Sequence, residues 1–353
     1  MSFQILGTGS AHPACSQTND DLSAFLDTSD EWISTRTGIK SRYVCTTETI
    51  SDLAVEAGRA ALRDAGVEPE ELDLIICSTI RGDYITPALA CVVQNRLGAT
   101  CPAFDINAAC SGFVYMLDVA AGYFARKRVK KVLLITAEEM SKLLDWKDRR
   151  TCVLFGDGAG AAVLGEGDGL RSIRITTSGN MDVLRIPNVQ GNSPFGETKD
   201  CESYLFMDGQ EVYKFAVNAM CNDIRTVIKE AGLTEDDVDF VLPHQANLRI
   251  IETAKKRLGI PPEKFHVNIS RYGNTSSAGV AILMDEMHRA GAFHPGDVLV
   301  ISTFGGGLTT GACTLVWTCL LYTSALGRGR PRGRARTVRN PGSCPGSCPG
   351  HLR

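Results

Sequence analysis

An internal repeat runs through this chain, and a sequence that matches itself segment by segment must build one folding unit twice. VEPEELDLIICST (67–79) resembles LTEDDVDFVLPHQ (233–245); each is an acidic link running into an apolar strand, and the two carry an Asp at the same place, Asp73 and Asp239. NRLGATCPAFDINAACSGFVYMLD (95–118) matches KRLGIPPEKFHVNISRYGNTSSAGVAILMD (256–285), and KRVKKVLLIT (127–136) matches HPGDVLVIST (294–303). FGDGAGAAVL (155–164) then matches FGGGLTTGACTLV (304–316). The segments recur in one order, with only insertions between them.

Each copy alternates helix-period stretches such as SDLAVEAGRAALRDAG (51–66) with short apolar runs such as LDLIICST and VLLIT, which read as strands covered on both faces. The expected class is α/β, with strands sandwiched between helices. The boundary is expected near residue 170, giving an N-terminal half 1–170 and a C-terminal half 171–317. Residues 171–215 read as a loop-rich bridge that enters a helix near Gln210. Two glycine-rich strings, LGTGSAHP and FGDGAGAAVLGEGDG, lack the full spacing of a dinucleotide or P-loop fingerprint and read as turns between strands.

Composition narrows the function. No apolar run approaches the roughly 18 residues of a membrane span, and the first residues lack a signal-peptide pattern, so a cytoplasmic protein is expected. The 13 cysteines are scattered rather than paired by motif and read as free thiols in a reducing compartment; neither CxxC nor HExxH occurs, so no metal is expected. Residues 318–353 hold seven Arg and no Asp, Glu or Lys, which leaves 30 basic against 40 acidic residues in 1–317. An acidic body argues against general nucleic-acid binding. The 318–353 tail is a Gly/Pro/Arg low-complexity stretch with a PGSCPGSC repeat, expected to be disordered. Its start, CLLYTS, back-translates to a transposon end used in sequencing libraries, so the tail is expected to be an assembly artefact, with a natural basic arm as the alternative.

Chemistry concentrates at three strand-to-helix junctions. Cys110 ends DINAAC and opens the apolar helix SGFVYMLDVAAGYFARKR, where the free N–H groups of a helix start favour thiolate and predict a depressed pKa. His244 ends VDFVLP, just before the helix QANLRIIETAKKRLG, and Asn274 sits in RYGNTSSAG, ahead of the helix equivalent to the one begun by Cys110. The duplication predicts that Cys110 and the Asn274 loop meet about a pseudo-twofold axis with His244 alongside. Taken singly, each fits a blander role: a buried thiol, a satisfied core histidine, a turn residue. Trp32 and Arg36, four apart, fall on one helix face, where an indole can stack on a base while a guanidinium meets phosphate.

The set LGTGSAHP, TNDDLSAFLDTSDEWISTRTGI, AACSGF, FGDGAGAAVL, LPHQANLRII, YGNTSSA and FGGG, from about Ile5 to Trp317, resembles the β-ketoacyl-acyl-carrier-protein synthase III family of bacterial fatty-acid synthesis, in the thiolase superfamily. The resemblance implies duplicated halves in an α-β-α-β-α arrangement, a cytoplasmic homodimer, and an acyltransferase that needs no cofactor. Cys110 would carry the acyl group from an acyl-CoA, typically acetyl-CoA, and malonyl-acyl carrier protein would decarboxylate and condense with it. His244 and Asn274 would steady the enolate, and the backbone N–H groups of Cys110 and Gly306 would form the oxyanion hole. Arg149, from DWKDRR, would sandwich adenine with Trp32; Arg36 would meet CoA phosphate, and Arg249 would guard the tunnel mouth for CoA phosphate or the carrier's phosphopantetheine. Lys214, Arg249, Lys255, Lys256 and Arg257 would attract an acidic carrier protein. Thr86 stands where family members with Phe close the acyl pocket across the dimer interface, so this pocket is expected to be roomier. Two rivals share the features: a condensing enzyme of secondary metabolism that uses malonyl-CoA, and a non-catalytic paralogue that binds carrier protein or CoA.

Overall fold

The computed structural model describes residues 2–188, 195 and 203–319, and in it the repeat is expressed strand by strand. One sheet runs in the order Ser2–Ala11, Asp157–Gly167, Lys131–Glu139, Leu74–Ser78, Ala103–Ile106; the other runs Leu170–Asn180, Gly307–Val316, Val298–Gly305, Phe240–Pro243. Leu74–Ser78 pairs parallel to Lys131–Glu139, as Phe240–Pro243 does to Val298–Gly305, and the next two pairings are antiparallel in both sheets. The second sheet has no fifth strand among the described residues. At the equivalent edge stands a single parallel bridge, Val241 to Phe265.

The paired aspartates do the same work in each copy. The Asp73 carboxylate accepts the N–H groups of Lys130 and Lys131 at 2.6 and 2.9 Å, and the Asp239 carboxylate accepts that of Val298 at 2.9 Å. The two backbones also match, Asp73 N–H donating to Lys131 C=O and Asp239 N–H to Val298 C=O, each at 2.9 Å. One acidic residue thus fixes the register of two neighbouring parallel strands, once per half.

Helices complete five layers. Ile50–Ala65 opens on a capping box between Thr49 and Asp52 and closes on left-handed Gly66; its apolar face covers the outer side of the first sheet. Gly112–Ala125 and Ala278–Arg289 lie between the sheets and share one core with strands of both. Gly112–Ala125 is nearly devoid of charge, as a helix covered all round must be. Gly209–Glu230 and Leu248–Leu258 cover the outer face of the second sheet.

Two expectations change. Residues 171–180 are not loop: Leu170–Asn180 is the edge strand of the second sheet, its alternation obscured because much of one face is exposed. The glycine-rich strings are not turns either, since Ser2–Ala11 and Asp157–Gly167 pair with each other along their length. Their glycines admit helix backbone: a Cβ on Gly9 would lie 2.3 Å from Ala57 O, and one on Gly160 would lie 2.5 Å from Ala281 Cβ.

A buried polar seam ties helix Ala278–Arg289 to the first strand. Asp64 accepts from Thr8 N–H at 3.0 Å, from Arg289 at 2.9 Å and faces His288 Nε2 at 3.0 Å, while Thr8 and Ser10 donate to Asp285. Cys319 Sγ comes within 3.7 Å of His288 Nε2, so Asp64, His288 and Cys319 form a trio of potential metal ligands. Arg289 already supplies the cation to Asp64, which makes the trio a hydrogen-bonded seam. Thr318 and Cys319, expected to belong to the tail, are thus described with the body; the tail from residue 320 lies outside the described residues.

Candidate active site

Both copies bend the chain in the same way ahead of their central helices. Ala109 and Ser276 occupy matching positions in the pairing that aligns Asp118 with Asp285, and both are left-handed, with φ of 47° and 51°. That conformation is rare for residues with a side chain and marks a sharp turn out of the strand. Cys110 follows Ala109 directly, in a one-turn 3₁₀ segment at the head of helix Gly112–Ala125. Its counterpart in the second copy is Ser277. The two turns pack closely: a Cβ on Gly112 would lie 1.8 Å from Ser78 Oγ and 3.3 Å from Ser277 Cβ.

Cys110, His244 and Asn274 line one cavity of about 560 Å³. His244 is 1% exposed, anchored by its N–H to Ser302 C=O at 2.7 Å, with its ring edge-on to Phe304 at 4.9 Å. Burial drives its pKa down to about 3, so the imidazole is neutral. Gln245 holds the loop beyond it, donating to Pro243 C=O and accepting the N–H groups of Asn268 and Ile269. The Asn274 backbone is clamped between Leu154 and Gly156, and its Oδ1 accepts Ser276 N–H at 2.9 Å.

The depressed thiol pKa expected for Cys110 is not what the structure gives. The side chain is buried, and desolvation pushes the thiol up to about 12, although hydrogen bonding to Ser276 pulls the other way. A helix start offers partial charge; removal from water costs more.

The same cavity is lined by Trp32, Arg36, Arg149 and Arg249. The guanidinium carbons of Arg36 and Arg149 lie 4.8 and 5.1 Å from the Trp32 ring centroid. Arg149 also donates to the Asp27 backbone carbonyl and, at 3.1 Å, to its carboxylate. Arg150, its neighbour in sequence, lines the same cavity but pairs with Asp148.

Other expected residues are placed less tightly. Gly306 lines the cavity, but of the two it is Gly305 that presses on Cys110, where a Cβ would lie 2.6 Å from Cys110 N and 3.1 Å from Cys110 Cβ. Sequence reading passed over Gly305 because three consecutive glycines look alike. Thr86 is exposed and outside the cavity lining of the single chain. Among the basic residues, Lys256, Arg257 and Arg249 are exposed, while Lys214 pairs with Glu211. Lys255 departs from expectation: its side chain is 12% exposed, paired with Glu252 and packed over the Phe265 ring. Sequence reading also missed Glu138, whose only signal was a charge at the end of an apolar strand; it is 1% exposed and bound to Ser276 and Ser277.

Comparison with known proteins adds a family pattern to this geometry. Residues 104–179 match the family model for 3-oxoacyl-[acyl-carrier-protein] synthase III, and residues 228–317 match the model for its C-terminal part. Beta-ketoacyl-[acyl-carrier-protein] synthase III of Clostridium acetobutylicum is 45% identical over 322 residues, 90% of this chain and 99% of that protein. The protein of the same name from Xanthomonas campestris is 46% identical over 316 residues, 88% of this chain and 97% of that one. Among solved structures, 3-oxoacyl-[acyl-carrier-protein] synthase III of Aquifex aeolicus superposes with a TM-score of 0.84 at 43% identity, covering 89% of this chain and 100% of that one. The priming β-ketosynthase of the R1128 polyketide pathway superposes equally well at 36% identity, covering 90% and 96%.

Proposed function

The chain belongs to the 3-oxoacyl-[acyl-carrier-protein] synthase III family, and on that footing we propose that it starts fatty-acid chains by condensing an acyl-CoA primer with malonyl-acyl carrier protein. The observation that carries the reading is one cavity lined by Cys110, His244 and Asn274 together with an indole, Trp32, that has two guanidinium carbons 4.8 and 5.1 Å from its ring centroid.

In the first stage the CoA adenine is held at Trp32 and Arg149, with Arg36 and Arg249 at the phosphates, and the acyl thioester reaches Cys110. The sulfur adds to the thioester carbonyl, the N–H groups of Cys110 and Gly306 hold the oxyanion, and CoA leaves. In the second stage malonyl-carrier protein enters and loses carbon dioxide. The neutral His244 donates from Nε2 and Asn274 from its amide to the thioester oxygen as it becomes an enolate, and the enolate carbon attacks the acyl-Cys. A neutral donor suits this step, because a cationic imidazolium would bear the full cost of burial. Both acyl carriers are substrates, and the chemistry calls for no cofactor or metal.

The exposed basic residues Arg249, Lys256 and Arg257 draw in the acidic carrier protein, with Lys214 at the edge of the patch. The working form is a homodimer, in which Thr86 of one chain meets the acyl pocket of the other. The outer edge strand Ala103–Ile106 and the exposed side chains of Tyr84 and Ile85, 61% and 90% accessible, supply the surface for it. No described helix is long and apolar enough to cross a membrane.

Intact-mass spectrometry after exposure to acetyl-CoA tests the reading, with Cys110→Ser as control. The expected result is one acetyl increment on Cys110 that disappears as acetoacetyl-carrier protein forms on adding malonyl-carrier protein. Labelling only by longer acyl-CoAs moves the primer; labelling by none overturns the assignment. The likeness to a polyketide priming synthase supports a second reading, a condensing enzyme of secondary metabolism. Discharge of the acyl-enzyme by malonyl-CoA without carrier protein selects it.

A further inference from the structure

Asn274 belongs to the second copy, yet the groups that hold it come from the first. Its backbone N–H donates to Leu154 C=O at 2.8 Å, and its C=O accepts Gly156 N–H at 3.1 Å. Beyond it the turn is held by a carboxylate. Glu138, 1% exposed near the end of strand Lys131–Glu139, accepts the hydroxyls of Ser277 at 2.6 Å and Ser276 at 3.2 Å on Oε1, and Ile80 N–H at 3.0 Å on Oε2. A carboxyl removed from water persists only with such partners, and all three are donors.

Ser276 stands in the left-handed region, with φ of 51°, a conformation that costs a residue with a side chain and persists only where its surroundings fix it. In that conformation its N–H turns back onto Asn274 Oδ1, at 2.9 Å. An N–H donor identifies the accepting atom as the amide oxygen, so this contact also fixes which end of the Asn274 amide is NH2. Pseudo-symmetry sets the two copies apart here. Pairing KRVKKVLLIT with HPGDVLVIST carries Glu138 onto Gly305, and the same pairing carries Ala109 and Cys110 onto Ser276 and Ser277. Each strand end faces the other copy's turn, but Gly305 packs bare against Cys110 while Glu138 pins Ser276 and Ser277 with a carboxylate.

The geometry points to Glu138 as a positioning residue for the condensation stage: by holding both serine hydroxyls it keeps Ser276 left-handed, and through the Ser276 N–H it sets the orientation of the Asn274 amide. The inference rests on the role proposed above for Asn274 at the enolate oxygen. Glu138 lies outside the cavity lining, so it acts only through what it holds. The acylation stage draws on the N–H groups of Cys110 and Gly306 and not on this turn. The negative charge of Glu138 opposes ionisation of the Cys110 thiol, so removing that charge does not slow the first stage. One substitution therefore affects the two stages differently, which general damage to the fold would not do.

Stage-resolved intact-mass kinetics on the full-length protein test it, with straight-chain acyl-CoAs from acetyl upward as primers and malonyl-acyl carrier protein as the second substrate. The rate at which the acyl increment appears reads the first stage, and the rate at which it is lost on adding malonyl-carrier protein reads the second. Glu138→Gln is expected to acylate at the wild-type rate or somewhat faster, and to lose the acyl group roughly 10- to 100-fold more slowly. Ser276→Ala keeps the carboxylate and removes one hydroxyl; it is expected to show the same split in smaller degree, and it decides the matter where Glu138→Gln does not fold. In an Asn274→Ala background, adding Glu138→Gln is expected to lower the remaining discharge by less than about twofold, because the group it positions is gone. An unchanged discharge rate in Ser276→Ala or in a folded Glu138→Gln overturns the inference. So does an equal fall in both stages, or a further large fall in the Asn274→Ala background. A wild type that no acyl-CoA labels overturns the condensing-enzyme reading itself, and this inference with it.

Discussion

At the scale of single residues, position next to the sulfur matters more than chemical type. Gly305 carries no functional group, yet its missing Cβ lets the second sheet approach the Cys110 backbone. Gly305→Ala is expected to leave the fold standing at a cost of roughly 1–3 kcal/mol from overpacking. It is also expected to lower kcat/KM for the acyl-CoA by about 10²-fold by displacing the nucleophile. Thermal melting and steady-state kinetics check the two halves of that statement. Cys110 itself shows why a local rule was insufficient. Its place at a helix start was legible in DINAACSGF, but its ionisation depends on burial, to which Gly305, far away in the chain, contributes by close approach.

At the scale of elements, the central helix and its turn act as one holder for Cys110. Helix Gly112–Ala125 shares its core with both sheets, and Gly112 makes room for Ser78 at the end of strand Leu74–Ser78. Gly112→Ala is expected to destabilise the protein by roughly 1–3 kcal/mol, seen as a lower Tm. Ser78→Gly in the same chain is expected to restore much of the loss, because it removes the atoms the new methyl would meet. Most elements were legible, since helix periods, capping residues and apolar runs are local. The exceptions have a shared cause. The edge strand Leu170–Asn180 lacks the apolar signature because it is half-exposed, and the glycine-rich strands lack side chains because helices press on them.

At the scale of the whole molecule, two similar halves have diverged in function. The first supplies Cys110, the second His244 and Asn274, and the cavity is built from both. The second sheet stops at four described strands, while the first ends on Ala103–Ile106, whose outer edge is open in the single chain. Sedimentation equilibrium is expected to give twice the chain mass at micromolar concentration. The double substitution Tyr84→Asp with Ile85→Asp is expected to shift the protein to monomer, because four buried charges per dimer would lack partners. A monomeric wild type overturns the dimer.

The sequence by itself determined the helix-period stretches and apolar strands, the doubling of the unit and the junctions where Cys110, His244 and Asn274 stand, because period, caps and repeats are written in neighbouring residues. Only the tertiary structure decided which glycine touches Cys110, that Lys255 turns inward to Glu252, and that Glu138 bonds with Ser276 and Ser277. Desolvation and hydrogen-bond partnership are set by groups brought together from distant parts of the chain, and no local pattern encodes that company.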